Sequence, residues 1–170
     1  MAAESLRELF IEELRDMYDG EKQLTRALSK MAKAAASEEL RTAFANHHDE
    51  TEEQISRLQQ IFRSIGETVR GKKCDGIQGI VEESKPAMEE LEGALLDAAL
   101  IAGAQKVEHY EIASYGTLAY FAELLGENTA RQLLGRTLEE EKAADEKLTQ
   151  IAKSKVNREA LLTVGNEEEE

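Results

Sequence analysis

VEHYEIASYGTL, residues 107–118, combines an apolar helical stripe with two carboxylates set inside it. Ile101, Ala104, Ile112, Tyr115, Leu118 and Ala122 recur at helical spacing and mark a face that has to be buried. Glu108 and Glu111 fall on that same face, three residues apart. A buried, unpaired carboxylate costs several kcal/mol or shifts its pKa until it is neutral. The stretch therefore predicts an interior helix whose acids need a partner from elsewhere in the chain.

The rest of the chain reads as more helices. Its 170 residues suffice for one domain with a real core. Hydrophobic residues make up 41% and charged residues 33%, with one proline and no tryptophan, a mixture typical of long helices. There is no sustained period-two run and no Asn-Gly or Asp-Gly hairpin, so no strand is predicted. The first helix is predicted from about Glu4 to Ala35, with Leu6, Phe10, Leu14, Met17, Leu24, Leu28 and Met31 on its stripe. The second opens at Ser37, a good N-cap followed by two glutamates, and ends near Gly66. Its stripe is Leu40, Phe44, Thr51, Ile55, Leu58, Phe62 and Ile65.

A glycine-rich connection, GETVRGKKCDG (66–76), and a short amphipathic piece, IQGIVEESK, lead to Pro86. That proline is expected to break or bend the chain, or to sit in the first turn of the next helix. The third long helix carries residues 107–118 and ends at Gly126; the fourth starts near Asn128, with Leu134, Leu138, Leu148 and Ala152 on its stripe. Two tight connections flanking one long crossover, here with a short extra helix, describe an all-α antiparallel four-helix bundle. The domain is expected to cover residues 1–155, leaving 156–170, which ends in GNEEEE, as a solvated and disordered acidic tail.

The net charge of −14, from 35 acidic against 21 basic residues, repels phosphate backbones and argues against nucleic acid or anionic membranes as partners. A single cysteine, Cys74, excludes an internal disulfide and a thiolate metal site. In the loop KKCDG it reads as a bystander rather than a reactive thiol. The N-terminus MAAESLRELF has no basic stretch followed by an apolar core, and no apolar run approaches a bilayer span, so a cytoplasmic protein is expected.

The anomaly at 107–118 recurs on every long helix. Glu21 sits between Met17 and Leu24; NHHDETEEQ places His47, Glu50 and Gln54 on one flank of the second stripe; EEEKAAD puts Glu141 and Asp145 between Leu138 and Leu148. Taken singly, Glu50 and Asp145 read as boundary residues and His48 as a core or boundary histidine. Glu12, Glu13, Glu52, Glu53 and Glu146 read as solvated faces. Taken together, four antiparallel helices bring the inward acids to a common level. No Lys or Arg falls on the inner stripes nearby, so the expected counter-charge is a pair of divalent cations bridged by carboxylates, with a histidine or amide completing the set. The competing readings are a chance arrangement in an acid-rich chain, a non-catalytic protein with a structural or vestigial site, and an acidic helical adaptor.

EHYEIASYGTLAYFAELLG resembles the third helix of rubrerythrin-type, ferritin-like proteins. More closely, MYDGEKQLTRALSKMAKAA, AFANHHDETEEQISRLQQIF, EHYEIASY and LEEEKAADEKL resemble the YciE/YciF-type bacterial stress proteins, over nearly all of residues 5–153. The resemblance implies a ferritin-like bundle, paired as a homodimer, with a site for two divalent metal ions, iron first and manganese as an alternative. Carried onto this chain it implies Glu21 as the first-helix ligand, Glu50 and Glu141 as bridging acids, and Glu108 and Glu111 as the paired acids. The Glu-x-x-His pattern of such proteins is not met: Glu53 and Ala144 stand where its histidines would be. His47, Gln54 and Asp145 are the substitutes at hand, and so carboxylate-rich a set favours hard ions. With iron, the expected chemistry is reduction of O₂ or peroxide, with Tyr115 or Tyr18 as a hydrogen-bond or electron donor. The electron source would be external, since the chain has no Cys-x-x-Cys pair.

Overall fold

The structure is a computed structural model and describes residues 2–163. Six α-helices follow one another: α1 (Leu6–Ala34), α2 (Glu38–Ser64), α3 (Asp75–Glu90), α4 (Gly93–Leu124), α5 (Asn128–Ile151) and α6 (Asn157–Thr163), the last two joined by a π-helical turn, Ala152–Val156. No strand occurs among the described residues. Local chemistry sets the helix ends. Ser5 and Ser37 each accept a hydrogen bond from the backbone N–H three residues on, at 3.2 and 3.3 Å. Gly66 and Gly126 take the left-handed conformation (φ +75° and +73°) that lets Glu67 and Glu127 N–H reach the Phe62 and Ala122 carbonyls at 2.9 Å.

Pro86 neither breaks the chain nor opens a helix; it lies inside α3. The missing N–H would have bonded the Glu82 carbonyl, and both residues are exposed, so water can take that carbonyl. The break comes at Leu91 and Glu92, which are extended (ψ 153° and 164°).

α1 and α2 are antiparallel, as are α4 and α5. The α2 end returns to the start of α1, where an Arg7 Nη2 donates to the Ile65 carbonyl at 2.9 Å. The beginning of α4 instead meets the end of α1: Asp97, 2% exposed, accepts the Ala36 and Ser37 N–H groups at 2.7 and 2.8 Å. The segment between α2 and α4 thus runs the length of the bundle, with α3 laid against α1 and α4. Asp97→Ala is expected to lower stability by about 3 kcal/mol, because it removes two charge-assisted bonds and leaves two N–H groups short of partners. Urea unfolding at unchanged slope measures this, and a loss below about 1 kcal/mol would mean that the α1–α2 turn is held by other contacts.

The interior has two apolar clusters. One gathers Leu24, Leu28, Met31, Leu40, Phe44, Leu100 and Ile151 near the α1–α2 turn; the other gathers Phe10, Leu14, Met17, Leu58, Phe62, Leu118 and Leu134 at the opposite end. Leu6, Ile55, Ile112 and Leu138, predicted on the stripes, are only half-buried at their margins. The chain beyond residue 155 departs from the predicted tail. α6 continues α5 and packs on α4, with Val156 and Ala160 buried, because those two residues extend the α5 stripe across the π-helical turn. The GNEEEE end lies outside the described residues.

Cys74 is fully buried as the residue preceding α3. Its Sγ donates to Asp16 Oδ2 at 3.0 Å, and the Tyr110 hydroxyl donates to the same oxygen at 3.1 Å. Burial, reinforced by the Asp16 contact, pushes the thiol up to about 11, which makes it a poor nucleophile with a packing role.

Candidate metal centre

Between the two apolar clusters lies a layer of polar side chains drawn from all four long helices. Glu21, Thr51, Gln54, Glu108, Glu111, Thr137 and Glu141 are at most 2% exposed, and His47 is 8% exposed. His47, Glu108, Glu111 and Glu141 each offer a ligand atom, and those atoms lie within 4.8 Å of one another. His47 Nε2 stands 3.0 Å from Glu108 Oε1 and 3.7 Å from Glu141 Oε2. Glu21 adjoins this group through Glu111 and accepts a hydrogen bond from the fully buried Tyr115 hydroxyl.

The donor atoms are largely unpaired. Glu21 Oε2, Gln54 Oε1, Glu108 Oε2, both oxygens of Glu111 and both of Glu141 are buried without a hydrogen-bond partner. Orphaned buried oxygens at this density are costly in a folded interior unless something else binds them. The electrostatics agree. Burial, and then mutual repulsion, holds Glu111 and Glu141 well above the ordinary carboxylate range; for Glu141 a contact with Glu108 adds to this. Burial raises Glu21 to about 7 against the opposing bond from Tyr115. Burial alone would depress His47, but Glu108, with Glu50 and Glu141, outweighs it and holds the ring well above its usual value.

The remaining predicted residues are placed around this group rather than in it. Glu50, whose side chain is 34% exposed, reaches His47 Nδ1 at 3.3 Å from the rim. Gln54 is buried, and its Nε2 donates to Glu140 Oε2 at 3.3 Å. Asp145 points away toward His109 Nε2 (3.3 Å) and accepts from Gln105 Nε2 (3.2 Å). His48 pairs with Asp49 at the surface. Tyr18 lies off the centre, accepting from Gln59 and packing edge-on against Phe62.

A cation does sit beside the layer, contrary to the sequence expectation. Arg57, 7% exposed, donates to Glu140 at 2.5 and 2.7 Å and to Thr137 Oγ1 at 3.1 Å. Burial alone would raise Glu140, but the bonds from Arg57 and Gln54 outweigh it and hold the carboxyl below its ordinary value. The guanidinium is thus paired with Glu140, and the orphaned acids gain no hydrogen bond from it. Arg57 escaped the sequence reading because it is flanked by apolar Leu58 and exposed Ser56, and a long side chain can lie along a buried face. The spacing of Gln54 and Arg57, three apart and continuing the His47 flank, was the available signal.

A domain family described as "Domain of unknown function (DUF892)" matches residues 5–161. The chain belongs to this family. Protein YciF of Escherichia coli (strain K12) is 49% identical over 162 residues, covering 94% of this chain and 98% of that protein. The crystal structure of the E. coli stress protein YciF superposes with a TM-score of 0.87 at 50% identity, covering 91% of this chain and 99% of the other. YcfI from Rhodopseudomonas palustris superposes at 0.85 with 42% identity, over 88% and 96% of the two chains. The chain is therefore a homologue of a bacterial stress protein, with the same bundle. Among the described residues no helix is long and apolar enough to cross a membrane.

Proposed function

We propose that this protein is a di-metal carboxylate protein of the bacterial stress response, with iron as the first candidate metal and manganese as the second, acting on O₂ or peroxide. The observation that carries this reading is the orphaned donor set: three buried glutamates and a histidine converge within 4.8 Å, and most of their donor atoms are unpaired. Those donors fit a hard or borderline divalent cation. His47, Glu108, Glu111 and Glu141 would hold the ions together with Glu21, while Glu50 and Gln54 stand nearest among the other candidates. Bound iron would supply the electrons for reducing O₂ or peroxide.

The chain's own residues do the rest. Glu50 orients the His47 ring through Nδ1, leaving Nε2 aimed at Glu108 and Glu141. Tyr115 keeps a hydroxyl proton on Glu21 Oε1, a fixed donor beside the site. The apolar clusters above and below exclude bulk water. A cavity of about 250 Å³, lined by Ala43, Phe44, Ala143, Ala144 and Leu148, opens beside His47 and Glu50 and offers a path for a small oxidant. Pairing of two copies and an external electron donor belong to the same reading.

The test is metal content per chain by inductively coupled plasma mass spectrometry, on protein purified without chelator or a metal-affinity column. Close to two irons or manganese ions per chain are expected, and loss of both in Glu21→Gln/Glu141→Gln with the fold retained. Absence of metal after anaerobic reconstitution with Fe(II) would defeat the proposal and leave the structural or adaptor reading.

A further inference from the structure

A second and larger cavity, about 560 Å³, lies between α1, α3 and α4, and nothing proposed above uses it. Its size suits a small organic ligand. Its walls are mainly aliphatic, with Leu24, Leu28 and Met31 from α1, Val81 and Met88 from α3, and Val107 from α4, alongside the polar Gln23 and Ser84. Glu108 of the candidate centre, 1% exposed, also lines it, so the cavity reaches the flank of that centre.

The mouth has the opposite character. Arg26, Lys30 and Lys85 stand on it, exposed, against a single acid, Glu89. Lys85 is bonded to Glu82 at 2.6 Å, but among the described residues no acid lies within 4.0 Å of the charged ends of Arg26 and Lys30. In a chain with 35 acidic and 21 basic residues, a mouth with two unpaired cations to one unpaired acid reverses the prevailing sign. The far wall is closed by a tight approach of α3 to α4, where a Cβ on Gly103 would meet Ser84 Oγ at 2.5 Å. Mainly aliphatic walls select a run of methylenes, and unpaired cations at the opening select an anionic head.

We propose that this cavity binds a medium-chain fatty acid, with its carboxylate at Arg26 and Lys30 and its alkyl chain running inward toward Glu108. The binding stands on the cavity and its rim alone. Only the consequence, an aliphatic chain laid beside the metal ions, rests on the proposed function.

The experiment is isothermal titration of the metal-stripped full chain with hexanoate, octanoate, decanoate and decanol. One molecule per chain is expected, tightening about fourfold for each added methylene from hexanoate to decanoate. Decanol is expected to bind at least tenfold more weakly than decanoate. Ala27→Trp, on the half-buried wall, should abolish decanoate binding, with folding checked by circular dichroism. Val81→Trp fills the cavity from α3 and serves if the first variant does not fold. Arg26→Gln/Lys30→Gln should weaken decanoate about tenfold and leave decanol unchanged. No binding of any acid up to its solubility limit, binding unchanged in both tryptophan variants, or decanol matching decanoate would each overturn the proposal. Because the titration uses metal-free protein, its failure and a failure of the metal reading are separate results.

Discussion

Glu111→Met is expected to raise the melting temperature of the metal-free protein at pH 8. Glu111 has no exposure, and neither of its carboxylate oxygens has a partner. Exchanging a buried ionisable group for an apolar one of similar volume is stabilising by about 1–4 kcal/mol where nothing compensates the charge. For a domain of this size that corresponds to roughly 2–16 °C. The same change should eliminate the ion-dependent stabilisation of the wild-type protein, so that added Mn(II) raises the wild-type midpoint and leaves the variant's where it was. A pair of scanning-calorimetry runs, with and without metal, reads both effects. A lower midpoint for the metal-free variant would show that Glu111 makes a structural contribution the geometry does not reveal.

The second large effect is the pH dependence of stability, and metal should reverse its sign. Burial, and after it the neighbouring acids, raises Glu111 well above the ordinary carboxylate range; burial also raises Glu141 and takes Glu21 to about 7. A carboxyl with a raised folded pKa binds more protons when folded than when unfolded between the two values, so stability falls as pH rises through that window. Glu21 alone, moved from 4.5 to about 7, corresponds to a linkage on the order of 3 kcal/mol. His47 acts in the same direction above pH 6.5. Its raised folded value gives stability that is present below the unfolded pKa and is lost as pH rises through the folded one, so both kinds of group weaken the metal-free protein at alkaline pH.

The midpoint of the metal-free protein is thus expected to fall between pH 5 and pH 8. With Mn(II) or anaerobic Fe(II), ligands must be deprotonated to bind, so affinity and stability rise over the same range and protons are released on binding. Thermal melts across pH, together with titrations in two buffers of different protonation enthalpy, measure this. A metal-free midpoint that rises toward pH 8 would contradict the burial argument.

The helices and most of the inward acids were legible in the sequence for one reason: helical periodicity assigns each residue to a face. Met17, Glu21 and Leu24 on one face made Glu21 interior, and Glu108 with Glu111 followed from the stripe around Tyr115. The same rule is ambiguous at stripe margins. Glu50 and Asp145 lie at those margins; the structure gives Glu50 to His47 and turns Asp145 toward His109. Periodicity is also silent on long cationic side chains, which explains the missed Arg57–Glu140 pair, and on whether a surface helix can absorb a proline, as α3 does at Pro86.

The sequence by itself determined the helical class, the two tight turns with their serine and glycine signals, the long crossover, and that Glu21, Glu108, Glu111 and Glu141 face inward, because these depend on spacing along one chain. Only the tertiary structure decided that His47, Glu108, Glu111 and Glu141 meet within one ion's reach while Asp145 does not, since that depends on the rotation and height of each helix against its neighbours. The same packing laid α3 across α1 and α4, forming a mainly aliphatic cavity that Glu108 also lines. No pattern within a single helix encodes that juxtaposition, because its walls come from three helices, with α1 lying fifty or more residues before the other two.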